Sequence, residues 1–149
     1  MTVQTHILSG ILIGKLTGNY AAAFTGAVFI DADHLISYAK HKALFNPKKM
    51  FKVVTTRTGG GWGDERGFFH SLITWAILSA LLIFISFPFG LVFSIGYFTH
   101  LFLDAICTGT LYPLNPSKRF PIHGFIKYLS WQEIIFSSLL GVATLILFL

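Results

Sequence analysis

The chain has 149 residues, of which 54% are hydrophobic and only 11% are charged, and its formal net charge is +5. Soluble domains carry about 25% charged residues, so this composition excludes an ordinary soluble domain and indicates a single integral membrane domain over residues 1–149. The single cysteine, Cys107, excludes an internal disulfide. The first residues lack a basic region and a small-residue cleavage pattern, so we expect no removed signal peptide.

Apolar stretches separated by turn signals predict an all-α membrane protein. They cover roughly residues 6–18, 20–38, 70–87, 90–107 and 131–149. Gly18 and Asn19 separate the first two stretches, and Pro88 with Gly90 separates the third from the fourth. A full span needs about 20 apolar residues, so the first two form either a hairpin of partial spans or one helix kinked at Gly18. The expected fold is a polytopic up-down bundle of about five transmembrane or partly spanning helices.

The basic residues are concentrated in two connections between the predicted helices. Only Lys15 lies on the opposite side, and the other ten are Lys40, Lys42, Lys48, Lys49, Lys52, Arg57, Arg66, Lys118, Arg119 and Lys127. The positive-inside rule therefore places loops 40–66 and 108–130 in the cytoplasm, with the N-terminus inside and the C-terminus outside. We interpret the glycine-rich stretch 58–63 of the first loop as a lid over a site.

Histidine and aspartate side chains lie within or at the ends of the predicted helices, where ionisable groups are costly and indicate a functional site. They are His6, Asp31, Asp33, His34, His70, His100 and Asp104. In an up-down bundle with the predicted topology, the helix ends that carry them point to the cytoplasmic face. Imidazole and carboxylate groups are ligands of zinc and similar cations, so this convergence predicts a metal site at that face.

Helical spacing pairs several of these residues. His100 and Asp104 are four residues apart and share a helix face with Tyr97, while Asp31 and His34 are three apart and share another. Such pairs suit metal ligands. Taken singly, each residue also fits a simpler role as a helix cap, an interfacial side chain or a hydrogen-bonding partner.

The set offers enough ligands for one or two divalent cations. Two imidazoles and two carboxylates would hold the first ion, and the sequence assigns these to His70, His100, Asp104 and either Asp31 or Asp33. His6 and His34 would hold a second ion, with Asp104 as the bridging carboxylate. Zinc suits these ligands best, with manganese or iron as alternatives. A carboxylate that stays free, Asp31 or Asp33, is available to take a proton from water.

The order and spacing of these motifs resemble a known family over about residues 6 to 114. The chain is similar to the YdjM/YbcI-like family of membrane-bound metal-dependent hydrolases, itself similar to bacterial zinc-dependent phospholipase C and fungal zinc single-strand nucleases. The resemblance rests on an early His6, Asp31-Ala-Asp-His34, Arg66-Gly-Phe-Phe-His70-Ser71, and His100-Leu-Phe-Leu-Asp104 with Thr108, Gly109 and Pro113 beyond. It implies that His6, Asp31 or Asp33, His70, His100 and Asp104 are metal ligands.

The chain also departs from the family pattern. Glu65 and Phe69 stand where the family often has a histidine and a threonine. The similar soluble enzymes use a further His-x-x-x-Glu pair for a third metal, and no such pair follows residue 104. One or two ions are therefore expected rather than three.

These observations favour a membrane-embedded metal-dependent hydrolase that attacks phosphate esters with metal-activated water. The expected substrates are phospholipids, lipid phosphates or other small phosphorylated molecules, and Arg66 with nearby lysines would hold the phosphate. Asp31, Asp33 and Arg66 are the predicted catalytic residues. We expect a location in the plasma or inner membrane of a prokaryote, contact with membrane lipids and no nucleic-acid partner; the oligomeric state is left open.

Two other functions remain as alternatives. A cation-binding transporter would use intramembrane His and Asp residues, but it needs polar groups that continue to the far face, where the predicted helices carry only Lys15 and small hydroxyls. A non-catalytic membrane protein would dock a cytosolic partner through the basic loop. The missing His-Glu-x-x-His motif argues against a zincin protease, and the missing Gly-Lys-Ser/Thr excludes a P-loop.

Overall fold

A computed structural model describes residues 1–55 and 66–149, and helices make up most of these ranges. They are α1 Val3–Thr17, α2 Tyr20–Val28, the 3-10 helix Phe29–Asp31, α3 Ala32–Lys40, α4 Pro47–Thr55, α5 Leu72–Ile85, α6 Phe87–Ala105 and α7 Trp131–Ile146. The described ranges contain no strand beyond two isolated bridges, which join Cys107 to Ile126 and Leu111 to Ile122. The predicted all-α class is therefore confirmed for this part of the chain. The predicted lid 58–63, Arg57 and Glu65 lie outside the described residues.

The structure divides the predicted helix 20–38 into two helices. α2 ends at Val28, one tight 3-10 turn follows, and α3 begins at Ala32. In a continuous helix the carbonyl of Ala27 would accept a hydrogen bond from the backbone four residues later. Here that carbonyl accepts a hydrogen bond from the ring of His100 over 2.8 Å. This hydrogen bond joins the end of α2 to α6.

The predicted loop 40–66 contains a helix that its charge pattern does not predict. α4 covers Pro47–Thr55, and the Asn46 side chain caps it by accepting a hydrogen bond from the Lys49 N–H over 3.1 Å. Asparagine at the N-cap and proline in the first turn are common start signals. The helix carries Lys48, Lys49 and Lys52 beside Phe51, which is 72% exposed.

Close packing of α2 against α6 positions the polar residues. A Cβ atom added at Gly26 would lie 2.3 Å from the carbonyl oxygen of Phe93, and one added at Gly96 would lie 2.8 Å from that of Ala23. Both positions therefore require glycine, as in membrane helices whose backbones approach closely. Because His100 lies about one turn after Gly96, this approach brings its ring to the end of α2.

The buried core lies between α1, α2 and α6, and large apolar side chains cover much of the outer surface. The core cluster consists of Ile13, Ala22, Ala23, Ile30, Val92, Phe93, Tyr97 and Leu101. On the outside, Phe84 is 91% exposed and Trp131 is 78% exposed. An apolar outer surface of this kind suits contact with lipid.

Among the described residues, one helix is long and apolar enough to cross a membrane. It is α6, with 19 residues, whereas α5 and α7 are apolar but have 14 and 16 residues. The structure therefore supports one candidate span, and the predicted five spans are not confirmed. The helices are short because Gly18, the 3-10 turn and Ser86 interrupt the apolar stretches. Pro88 lies in the first turn of α6. This helix therefore begins at Phe87, earlier than the predicted residue 90.

The chain between α6 and α7 folds back over the segment that precedes α5. The Leu72 N–H donates a hydrogen bond to the Pro113 carbonyl over 2.8 Å, and the Asn115 side chain donates one to the Gly67 carbonyl over 2.8 Å. These contacts fix residues 66–72, which include His70.

Candidate metal centre

The structure brings six of the predicted ligands into one cluster at the junctions of α1, α2, α3, α5 and α6. Their donor atoms form three overlapping groups, each with its members within 4.8 Å of one another. The groups are His6, Asp31 and His100; Asp31, His34 and His70; and His70, His100 and Asp104. Separate chain segments therefore meet at one place, as the sequence pattern predicts. Asp33 belongs to none of the three groups.

The donor atoms in the most buried group have the spacing of ligands around one small cation. His70 Nε2 lies 3.1 Å from His100 Nε2 and 3.3 Å from Asp104 Oδ2, and His100 Nε2 lies 3.8 Å from the same oxygen. Ligands about 2.0–2.2 Å from a tetrahedral zinc are roughly 3.4 Å apart. The three side chains therefore match tetrahedral ligand spacing.

Asp31 is the carboxylate that connects the groups. Its Oδ1 lies 3.5 Å from His34 Nε2 and 3.6 Å from Nε2 of both His70 and His100. Asp31 also belongs to the group that contains His6. The sequence pattern assigns the bridging position to Asp104, and that assignment stays a prediction. The 3-10 turn places Asp31 as well between the parts of the cluster, where α2 meets α6.

His6 is a buried imidazole whose ring nitrogens have no hydrogen-bond partner. Its exposure is 0%, and its ring stacks on that of His100 with centroids 3.9 Å apart. His6 Nε2 lies 3.4 Å from Asp104 Oδ1, without hydrogen-bond geometry. Buried polar atoms in folded proteins are nearly always satisfied. A cation at this position would satisfy Nε2, so the residues present fit a metal ion.

Contacts on the far side of two rings fix which nitrogen faces the cluster. His100 Nδ1 donates to the Ala27 carbonyl over 2.8 Å, and His70 Nδ1 lies 2.9 Å from Asp33 Oδ2. A hydrogen bond to one ring nitrogen leaves the other free to bind a metal. Asp33 Oδ2 also accepts a hydrogen bond from the Gly67 N–H over 2.9 Å. In this geometry Asp31 is the candidate ligand and Asp33 is a positioning residue for His70.

Arg66 lies at the cluster but is already paired. Its Nε is 3.1 Å from Asp104 Oδ2, and its other end donates to the Gly109 carbonyl over 2.7 Å. The amino group of Met1 contacts Asp104 Oδ1. Arg66 therefore neutralises Asp104, and a phosphate would compete with that carboxylate for its guanidinium group.

Charged neighbours control the ionisation of Asp31 and His70, which lie outside the helices α2, α5 and α6. Burial alone raises the pKa of Asp31, but the imidazoles of His70, His100 and His6 bring it to about 2. Burial alone lowers the pKa of His70, but hydrogen bonds to Asp104, Asp31 and Asp33 raise it above its ordinary value. The Asp31 carboxylate is thus ionised at neutral pH, as a metal ligand must be, whereas His70 would have to release a proton when an ion binds.

Several residues that support the cluster were not predicted as site residues. The Tyr97 hydroxyl donates a hydrogen bond to the Phe69 carbonyl, and the Ser71 hydroxyl donates one to the Asn115 carbonyl over 3.1 Å. Both hold the backbone beside His70. Helical spacing places Tyr97 on the face of His100, whereas nothing in the sequence indicates Asn115.

Comparison with known proteins identifies the family. A family model described as the YdjM inner membrane protein matches residues 1–148. The chain belongs to the YdjM inner membrane protein family. No curated protein and no solved structure matches it. Membership of this family, together with the apolar span α6, places the protein in the inner membrane.

Proposed function

We propose that this YdjM-family protein is a membrane-embedded metal-dependent hydrolase of phosphate esters. The observation that carries the proposal is the buried cluster of four imidazoles and two carboxylates, in which His6 has no hydrogen-bond partner. Ionisable groups are rarely gathered at membrane depth without a function. If these residues served stability alone, apolar side chains would avoid the free-energy cost of burying ionisable groups.

The six cluster residues would hold one or two divalent cations, with zinc first and manganese or iron as alternatives. A cation bound there polarises a phosphoryl oxygen and lowers the pKa of water at the site towards ~7. The ligand residues are His6, Asp31, His34, His70, His100 and Asp104.

Side chains of the protein would carry out the other steps of the hydrolysis. Asp31 and His34 have 19% and 18% exposed side chains, so solvent and substrate reach the cluster from their side. Hydrolysis forms a bond between a water oxygen and phosphorus and breaks the ester P–O bond. Asp31 would bind the ion through Oδ1, and its other carboxylate oxygen would take a proton from the water, which ends on the released alcohol. Asp33 keeps His70 oriented, and Arg66 shifts from Asp104 towards the phosphate.

The proposal places the cluster at the cytoplasmic face. Ten of the eleven Lys and Arg residues lie in the two loops assigned to that side, and Lys15 is the exception. A phosphate ester in the inner leaflet would therefore meet the cluster from the cytoplasm.

Metal content and turnover of one purified protein test the proposal. We expect the protein in detergent to hold at least one divalent ion per chain and to hydrolyse bis(p-nitrophenyl) phosphate with zinc, manganese or magnesium. His100→Ala should lose both properties, because it removes a ligand shared by two groups. His123→Ala is the matched control, since this exposed imidazole lies outside the cluster.

Two results would contradict the proposal. Full metal occupancy in both His70→Ala and Asp104→Ala would mean that the ion binds elsewhere. A metal-loaded protein that hydrolyses no phosphate ester but moves cations across liposome membranes would favour the transporter instead.

A further inference from the structure

An apolar cavity of about 150 Å³ opens beside the cluster, between α6 and the chain that follows it. One of its lining residues is His70, a member of the cluster. The other lining residues all have apolar side chains, and they include Leu101, Phe102, Ala105, Leu111 and Ile122.

The cavity extends from the cluster to the outer surface of the span. His70 and Leu101 are 1% and 3% exposed, whereas Phe98 and Phe102 on the same wall are 47% and 56% exposed. Those two phenylalanines lie on α6, the helix that is long and apolar enough to cross a membrane. The mouth of the cavity therefore faces the region that lipid chains occupy.

We propose that this cavity holds the alkyl chain of a substrate whose phosphate lies at the cluster. The inference rests on the proposed function and narrows its substrates to lipid-linked phosphate esters. A water molecule needs two to four polar partners, and here the lining offers only His70. An apolar cavity of this size holds a molecule about as large as benzene. It would therefore take the methylene groups nearest the phosphate, and the rest of the chain would remain in the bilayer.

Two substrates with the same reacting group test the inference. They are methyl p-nitrophenyl phosphate and dodecyl p-nitrophenyl phosphate, which differ only in the alkyl chain. We expect kcat/KM to be at least about tenfold higher for the dodecyl ester, because each buried methylene group favours binding. Equal values for the two esters would contradict the inference and leave the proposed function intact.

Variants separate binding in the cavity from partition of the dodecyl ester into detergent. Ala105→Phe and Ile122→Trp fill the cavity from opposite walls, and each should remove most of the dodecyl preference while retaining turnover of the methyl ester. Ile95→Trp is the control, because Ile95 is 43% exposed on α6 and does not line the cavity. The inference is wrong if both filling variants keep the full dodecyl preference.

A binding experiment keeps the test independent of hydrolysis. A dodecyl phosphate carrying a diazirine near the phosphate should label residues 98–105 and 111–122 in the native protein, and label them several-fold less in Ile122→Trp. If no ester is hydrolysed but this labelling occurs, the proposed function fails and the chain-binding cavity stands. Labelling spread evenly over α5, α6 and α7 would overturn the cavity assignment.

Discussion

Asp31 and Asp33 stand two residues apart and contact different partners. Asp31 Oδ1 faces Nε2 of three imidazoles at 3.5–3.6 Å, whereas Asp33 Oδ2 lies 2.9 Å from His70 Nδ1 on the far side of that ring. The first arrangement is that of a metal ligand. The second is that of a carboxylate that orients a ligand.

Substitutions at these two positions should therefore have different effects on metal binding. Asp31→Ala should lower the number of ions bound per chain, because it removes a ligand shared by two groups. Asp33→Asn should keep the number and weaken the affinity by about 10–100-fold, since it loses a charged partner of a ligand. Titration of the metal-free protein with zinc against a competing chelator measures both quantities. Loss of an ion in Asp33→Asn, with full occupancy in Asp31→Ala, would reverse the two assignments.

The sequence indicates the cluster residues but not their division of roles. An ionisable residue in an apolar stretch is visible from the sequence, so His6, His70 and His100 could be found. Whether Asp31 or Asp33 faces the cluster depends on the turn between α2 and α3. The spacing of residues along a continuous helix does not predict that turn. The contact of His100 with the Ala27 carbonyl has no sequence signal for the same reason.

At the scale of the helix, the close approach of α2 and α6 holds the cluster together. Gly26 and Gly96 face the opposite backbone so closely that a methyl group would meet it at 2.3 and 2.8 Å. In each case the nearest atom is a backbone carbonyl oxygen, which cannot move away by a change of rotamer as a side chain can. The helices would have to separate, and His100 would move away from α2.

Alanine at these glycines should therefore destabilise the fold. We expect Gly26→Ala to lower the free energy of unfolding by about 1–3 kcal/mol, the usual cost of overpacking, and to reduce zinc affinity as His100 shifts. Gly141→Ala in α7 is the control, because its added Cβ would meet only the Leu8 side chain, at 3.8 Å. Thermal unfolding in detergent with and without zinc measures both effects. An unchanged melting temperature in Gly26→Ala would show that the helices are not so closely packed.

Helix boundaries show where apolar patterns succeed and where they fail. The stretch that became α6 is recognisable from its length and apolar character. Helix α4 lies in a basic segment, where Asn46 and Pro47 are start signals but the lysines that follow favour a loop. The number of spans stays a prediction, since apolar composition does not reveal the 3-10 turn that divides residues 20–38.

At the scale of the whole molecule, α1 and α7 run in the same direction. Thr5 Oγ1 lies 2.7 Å from Ser137 Oγ near the start of both helices, and Lys15 Nζ lies 4.5 Å from the ring of Phe148 near their ends. The end that holds Lys15 and Phe148 is therefore opposite to the end that holds the cluster. If the chain crosses the membrane an odd number of times, its first and last helices run in the same direction. The parallel α1 and α7 therefore favour a C-terminus on the side opposite to the basic loops.

That arrangement predicts how introduced cysteines react in intact cells. Lys48→Cys in α4 should resist a membrane-impermeant maleimide until the membrane is opened, because the positive-inside rule predicts a cytoplasmic position for this basic helix. Phe148→Cys should react without opening, since it lies at the opposite end. The native Cys107 is buried and provides a low background. Ready labelling of Lys48→Cys from outside would mean that the protein has the opposite orientation in the membrane. The cluster would then face the periplasm, and the proposed substrates would have to come from the outer leaflet.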